Sequence, residues 1–179
     1  MNLVSKQPAI YGLDIENRPL WYGGNDFVYD LIVCVSGKWV GEKEMYTAMI
    51  DWRQDNETIL QILSPIREAI ENADALLGHN FRHDWKGMCA LYNHLAQPPL
   101  VKPRIIDTMR CIPSGMPRSM DFLAAKFDLG EKPHLTQHDW IEALERRDPM
   151  KLALVKKRNR EDVLITERLY NKERELGWL

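Results

Sequence analysis

The sequence predicts an α/β fold with a mixed β-sheet. Strand-like segments dominate the first third of the chain, and helical and strand-like segments then alternate towards the end. No internal repeat and no stretch rich in glycine and serine divides the 179 residues. We therefore expect residues 1–179 to form a single domain.

The strands are predicted from apolar and polar alternation and from β-branched and aromatic content. In the first strand, one face includes Tyr11 and Leu13, whereas the other includes Asp14 and Glu16. The second strand is rich in valine and aromatic residues, and the third is the weakest of the set. The predicted strands are residues 9–16, 27–35, 39–46, 75–79 and 104–109.

The helices are predicted from apolar residues at helical spacing. The first follows Asp55 and Asn56, which can cap a helix, and Pro65 interrupts its pattern. Either the helix kinks there, or a new helix begins with Ser64 as its cap. The other predicted helices are residues 84–95, 120–127, 140–147 and 152–176.

Composition limits the classes of function. The chain has 24 basic and 26 acidic residues, a net charge of −2, so a nucleic acid would have to bind a local basic patch. The longest aliphatic run, residues 31–35, is too short to cross a membrane, and no export signal precedes it. Three widely spaced cysteines disfavour disulfides and a thiolate zinc site. We expect a protein of the reducing cytoplasm with no membrane partner.

Carboxylates occupy apolar faces in three separate elements. Asp14 and Glu16 share one face of the first strand, where they repel each other and need a neighbouring cation, unless that face is a solvated sheet edge. Asp84 lies on the inward face of the first turn of its helix, although the helix dipole alone also favours an acid there. Asp162 interrupts an apolar stripe of the last helix, and Arg158 or a metal ion is its expected partner.

Such a set of acids is suited to divalent metal ions. Carboxylate oxygens without thiolates favour Mg²⁺ or Mn²⁺. Four converging carboxylates suit two such ions about 4 Å apart. We therefore expect Asp14, Glu16, Asp84 and Asp162 to bind two Mg²⁺ or Mn²⁺ ions.

Three segments carry these acids in a recognisable order. "IYGLDIE" (10–16), "LLGHNFRHDW" (76–85) and "NREDVLITERLY" (159–170) resemble the three motifs of the DEDD superfamily of 3′–5′ exonucleases, especially its phage-encoded members. "RIIDTM" (104–109) and "SMDFLAAKFDLGEKPH" (119–134) also fit, so the resemblance covers nearly the whole chain. It implies a ribonuclease H-like fold, a mixed five-stranded sheet flanked by helices.

The resemblance also implies a reaction and a site. The four acids match the metal-binding carboxylates of the family, and Asn80 matches the asparagine of its second motif. One metal would activate water beside the scissile phosphate and the other would stabilise the leaving 3′ oxygen, with Asp14 bridging both. The near-neutral charge favours single-stranded 3′ ends of DNA or RNA as the substrate, a replication or repair protein is an expected partner, and a bacterial cell is the expected location.

One position departs from the family. Its members place a tyrosine four residues, or a histidine five residues, before the last aspartate, and here Arg158 and Lys157 occupy those positions. Neither is a suitable base at neutral pH, because guanidinium keeps its proton and lysine needs strong desolvation to lose its own. Asn159 does match the residue beside that tyrosine, which supports the alignment.

Other polar and aromatic residues are candidates for substrate binding. Lys157 and Arg158 lie in a basic run that can bind phosphate, and Trp21 can stack on a terminal base. The alternative interpretation of this basic run is a helix face exposed to solvent. We favour that interpretation for Lys156 and Arg160, the outer residues of the run. Asp107, followed by Thr108, is expected to cap a helix.

Two rival functions remain. The missing tyrosine is compatible with a nuclease-like fold that has lost its chemistry and binds nucleic acid or protein. A zinc hydrolase would rest only on His134 and His138, which have no third ligand and are expected to lie in a loop on the substrate side.

Overall fold

The computed structural model describes residues 8–17 and 32–179. Five strands form one mixed sheet in the order β3-β2-β1-β4-β5. β1 pairs antiparallel with β2 and parallel with β4, and β5 continues the parallel half. The strands are β1 (Ile10–Asn17), β2 (Ile32–Trp39), β3 (Tyr46–Met49), β4 (Ala75–Gly78) and β5 (Arg104–Asp107). The predicted mixed five-stranded sheet flanked by helices is confirmed.

The described residues also contain six helices, which flank the sheet. They are α1 (Asn56–Asn72), α2 (Arg82–His94), α3 (Thr108–Cys111), α4 (Met120–Phe127), α5 (Gln137–Leu144) and α6 (Pro149–Glu175). No helix in residues 8–17 and 32–179 is long and apolar enough to cross a membrane.

The central strand β1 separates two apolar layers, as its alternation predicts. Tyr11, Leu13 and Ile15 lie in the largest core cluster, together with buried residues of α1 and α2. The opposite face is covered by α6. Gly12 lies on this face, and a Cβ atom added to it would be 3.6 Å from Cγ1 of Val163 in α6. Asp14 and Glu16 continue this second face towards the end of the strand, so α6 lies next to both acids.

Pro65 lies inside a single helix. Proline cannot donate a hydrogen bond to the carbonyl four residues earlier, which here belongs to Gln61. The Ser64 hydroxyl donates to that carbonyl instead, at 3.0 Å. Asp55 caps the helix by accepting from Thr58 N at 2.8 Å. Of the two alternatives, a new helix beginning with Ser64 as its cap is therefore wrong.

The predicted third strand is misplaced. Residues 39–46 were expected to form it, but β3 is Tyr46–Met49 and pairs with β2 from Tyr46 onwards. Gly41 has a φ of +88°, which fits a turn between the strands. Part of the predicted second strand, residues 27–31, lies outside the described residues.

Capping side chains define several helix boundaries. Asp107 ends β5 and accepts from Met109 N at 3.2 Å, as predicted for an acid before a threonine. Thr136 and Asp139 form a capping box at the start of α5. His138 lies inside that helix, so the expectation of a loop across residues 134–138 is wrong for this residue.

Candidate metal centre

Three carboxylates meet where β1 passes α6. One oxygen each of Asp14, Glu16 and Asp162 lies within 4.8 Å of the other two. A Mg²⁺ ion binds each of its oxygen ligands at about 2.1 Å, so a small adjustment would let all three acids share an ion. The sequence predicted that these three residues would converge, although Asp162 is far from the others along the chain.

The fourth predicted acid approaches the group from α2. Asp84 is 6% exposed, and its Oδ1 accepts a long hydrogen bond of 3.4 Å from Ile15 N, the residue between Asp14 and Glu16. The cluster of mutually close oxygens does not include Asp84. Asp84 is nevertheless close to Asp14: after burial, it is the neighbouring charge that raises the pKa of Asp14 most.

Burial makes the ionised forms of these acids costly. It raises the pKa of Asp14 well above its ordinary value, and Asp84 and Asp162 raise it further. Burial raises the pKa of Glu16 to about 7, against the opposing effect of the Arg158 guanidinium. It likewise raises the pKa of Asp84 to about 8. A divalent cation would compensate the repulsion that otherwise favours protonation.

Two cations from the chain already lie among the acids. Lys132 Nζ is 2.7 Å from Asp162 Oδ1. Arg158 Nε is 2.9 Å from Glu16 Oε1, and its Nη1 donates to the carbonyl of Pro133 at 3.1 Å. Of the two partners expected for Asp162, Arg158 is therefore wrong, because Glu16 on β1 accepts the guanidinium. The predicted need for a cation beside Asp14 and Glu16 is confirmed.

Asn159 fixes the orientation of Asp14. Its side chain is fully buried, and its Nδ2 donates to Asp14 Oδ2 at 2.6 Å. Its Oδ1 accepts from the Cys34 thiol at 3.2 Å. The amide thus occupies one oxygen of Asp14 with a fixed donor.

A cavity of about 460 Å³ lies beside the two cations that pair with the acids. Lys132, His134 and Arg158 line it, together with residues of α4 and of the segment that follows α4. Lys132 was missed by the sequence analysis, because the segment around it has no periodicity that would indicate where its side chain points. Of the predicted histidine pair, only His134 is among the cavity residues.

The predicted substrate-binding residues lie in different parts of the structure. Asn80 has a φ of +59° at the β4–α2 connection, and its backbone N–H donates to Asp107 Oδ1 at 2.9 Å. Lys157 is exposed on α6. Arg160, expected to be solvated, donates to the carbonyl of Met45 at 3.2 Å. Trp21 lies outside the described residues.

Comparison with known proteins supports the fold. No protein-family model matches the chain, and no curated protein matches it. Among solved structures, the chain is similar to the family B DNA polymerase from the hyperthermophilic archaeon Pyrobaculum calidifontis, with a TM-score of 0.72 and 19% sequence identity. The match covers 93% of this chain and 24% of the polymerase chain. The fold is therefore ribonuclease H-like, and the chain spans about a quarter of that polymerase's length.

Proposed function

We propose that the protein is a metal-dependent 3′–5′ exonuclease that hydrolyses phosphodiester bonds at the 3′ ends of DNA or RNA. The observation that carries this proposal is the convergence of Asp14, Glu16 and Asp162 from two distant segments, with Asp84 beside them. A protein that only binds ligands gains little from burying several acids together, since their repulsion costs stability. The fold shared with a DNA polymerase is consistent with work on nucleic acid.

The donor set fits two Mg²⁺ or Mn²⁺ ions. Asp14, Glu16 and Asp162 offer oxygens close enough to share one ion, and Asp84 with Asp14 would hold the second. When bound, the ions would supply activation of water and stabilisation of the leaving 3′ oxygen. Burial, and then repulsion by Asp84 and Asp162, raises the pKa of Asp14 well above its ordinary value, and a bound cation would favour the ionised carboxylate.

The chain's own residues hold this arrangement in place. Asn159 orients Asp14 by a 2.6 Å hydrogen bond, so one carboxylate oxygen keeps a fixed direction. Lys132 and Arg158 hold Asp162 and Glu16 and also line the adjoining cavity. Both cations can therefore attract a phosphate to the acids while offsetting their charge.

The expected substrate is a single strand. A net charge of −2 offers no broad basic surface for a duplex, and the cavity lined by Lys132 and Arg158 is of the size of a small ligand rather than a helix. Asn80 and Lys157 are the further candidates for contacts with the strand. The proposal includes a replication or repair protein as the partner that delivers the 3′ end.

Digestion of a 5′-labelled single strand tests the proposal. With Mn²⁺ or Mg²⁺ the label should appear in a ladder of shortened products, and with EDTA the strand should stay intact. Asp14→Asn should produce no ladder, whereas Glu175→Gln, which alters an exposed acid at the far end of α6, should produce the same ladder as the wild type. An intact strand with either metal contradicts the proposal, and faster digestion of a blunt duplex contradicts the preference for single strands.

A second function is favoured by one observation. Arg158 occupies the position where the family that this chain resembles has a base, and its guanidinium is paired with Glu16. An arginine side chain is already protonated, so it cannot accept a proton. The alternative is a module that binds nucleic acid or protein through this fold without hydrolysis. Retention of an intact labelled strand by the protein in Mn²⁺ would support this alternative.

A further inference from the structure

A second cavity lies away from the acids, at the β5 edge of the sheet. Its volume is about 340 Å³. We call it the α2–β5 cleft, and it is lined mainly by Arg82, Trp85, Lys86, Lys102, Asp107 and Arg110. Four of these six residues are cationic and one is acidic. The cleft therefore concentrates positive charge in a chain whose total charge is slightly negative.

The single acid of the cleft compensates little of this charge. Asp107 accepts hydrogen bonds from the backbone of Asn80 and Met109, and Arg110 is its nearest cation at 3.5 Å. Among residues 8–17 and 32–179, no carboxylate lies within ion-pair distance of Arg82, Lys86 or Lys102, and all three are exposed. An anion entering the cleft would therefore meet cations that no described acid has neutralised.

An aromatic side chain stands between the cations. Arg82, Trp85 and Lys86 are at positions i, i+3 and i+4 of α2 and share one face of the helix. Trp85 is half-buried and packs against the main core cluster, so its indole is held in place while part of it faces the cleft. Cations beside a fixed aromatic ring are the features by which proteins bind single-stranded nucleic acid, with phosphates on the cations and a base on the ring.

The cleft and the acid cluster share the helix α2. Arg82 and Trp85 flank Asp84 in the first turn of that helix. On the sheet side, Asp107 lines the cleft and is near enough to Asp84 to raise its pKa. A strand whose end lies at the acids thus has a charged surface within reach along the same helix.

We propose that the α2–β5 cleft binds the phosphodiester backbone of a single nucleic-acid strand at nucleotides 5′ of its terminus. This rests on the proposed function for the position of the 3′ end, but the binding itself needs no hydrolysis. Acidic peptides share the negative charge of the strand, but they have no bases to stack on Trp85.

Strand binding without metal tests the cleft directly. The affinity for a fluorescent 12-nucleotide single strand is measured by anisotropy in EDTA, over a series of salt concentrations. The variant Lys86→Ala/Lys102→Ala removes two phosphate contacts, so the slope of log affinity against log salt should fall by about 1.4 and the affinity at 0.1 M salt by about 20-fold.

A matched variant controls for net charge. Lys43→Ala/Lys172→Ala also removes two lysines, but neither residue lines the cleft. It should bind the strand within about 2-fold of the wild type. Equal losses in both double variants would overturn the proposal, because the effect would then be one of total charge. Displacement of the strand by polyglutamate as readily as by an unlabelled strand would also overturn it, in favour of an acidic protein partner.

Footprinting of the wild type keeps the proposal testable if a variant fails to fold. Acetylation followed by mass spectrometry should show Lys86 and Lys102 protected by the 12-nucleotide strand and Lys43 unprotected. Equal acetylation of Lys86 with and without the strand would overturn the proposal. Cleft-dependent binding without shortening in Mn²⁺ would contradict the proposed function alone, and shortening with cleft-independent binding would contradict the cleft alone.

Discussion

The Arg158 guanidinium binds Glu16 on the neighbouring strand, at 2.9 Å, and not Asp162 one turn away on its own helix. The same side chain donates to the carbonyl of Pro133, so it joins β1, α6 and the segment before α5. Arg158 therefore occupies one oxygen of a carboxylate that the proposed function assigns to metal. A cation so near the site competes electrostatically with a divalent ion.

Arg158→Ala should tighten Mn²⁺ binding by about 5- to 10-fold, since about 1 kcal/mol of cation repulsion is removed. Calorimetry measures this at pH 8.5, which is above the value of about 7 to which burial raises the pKa of Glu16. Arg146→Ala, which removes an exposed arginine paired with Glu142, is the control and should leave the affinity unchanged. Weaker Mn²⁺ binding by Arg158→Ala would show that the guanidinium supports the site.

Asp14→Asn should abolish Mn²⁺ binding and strand shortening without lowering the melting temperature in EDTA. The carboxylate of Asp14 is crowded by Asp84 and Asp162, and the amide removes that repulsion. Calorimetry and thermal denaturation measure the two effects. Equal Mn²⁺ binding by the variant and the wild type would place the metal elsewhere.

Lys132→Met should lower the melting temperature in EDTA but much less in Mn²⁺. Lys132 Nζ is 2.7 Å from Asp162, and removal of one partner from a mostly buried pair leaves a charge uncompensated, at a cost of about 2 kcal/mol. A metal ion would supply the missing positive charge. The control Lys126→Met removes an exposed lysine of α4. If Lys132→Met lowers the melting temperature equally with and without Mn²⁺, no metal ion binds beside Asp162.

Glu173→Gln should change the pH dependence of stability. Glu173 is fully buried in α6, and neither carboxylate oxygen has a hydrogen-bond partner among the described residues. Burial, and to a lesser degree Asp107, raises its pKa to about 8. Between its ordinary value and pH 8 the folded chain holds a proton that the unfolded chain has lost, so the stability of the wild type falls as pH rises through that range.

The variant lacks this titration. The free energy of unfolding of the variant, relative to that of the wild type, should therefore rise by about 1 kcal/mol per pH unit between pH 5 and 8. Urea denaturation in EDTA measures this difference. Below pH 5 the wild type and Glu173→Gln should be close in stability. Glu175→Gln, at an exposed position, should follow the wild type at every pH. Parallel curves for Glu173→Gln and the wild type would show that Glu173 is ionised in the folded protein.

The sequence predicted most of the sheet because alternation and apolar runs report directly on burial. β1, β4 and most of the helices lie within a few residues of their predicted bounds. β3 was placed too early because residues 39–46 resemble a strand in composition, whereas the ladder with β2 begins only at Tyr46. Pairing depends on the position of the partner strand, which local composition does not encode.

The sequence singled out the acids of the candidate site and Arg158, but neither Lys132 nor the partner of Arg158. Asp14, Glu16, Asp84 and Asp162 stood out because each interrupts an apolar face, and such interruptions are visible in a linear pattern. Lys132 precedes α5 in a segment without a repeating pattern, and the partner of Arg158 is 142 residues away. Contacts of this kind follow from the packed fold alone. Glu173 was missed because it lies among the many charged residues at the end of α6.

The hydrogen bond between Asn159 and Asp14 joins residues 145 positions apart. A ribosome adds about 5–20 residues per second, so about 7–30 s separate the synthesis of the two side chains. During that interval β1 is already made, but the helix that covers its acidic face is still absent. The nascent chain therefore exposes the carboxylates of β1 to solvent, and the cluster of acids can form only when translation has passed residue 162.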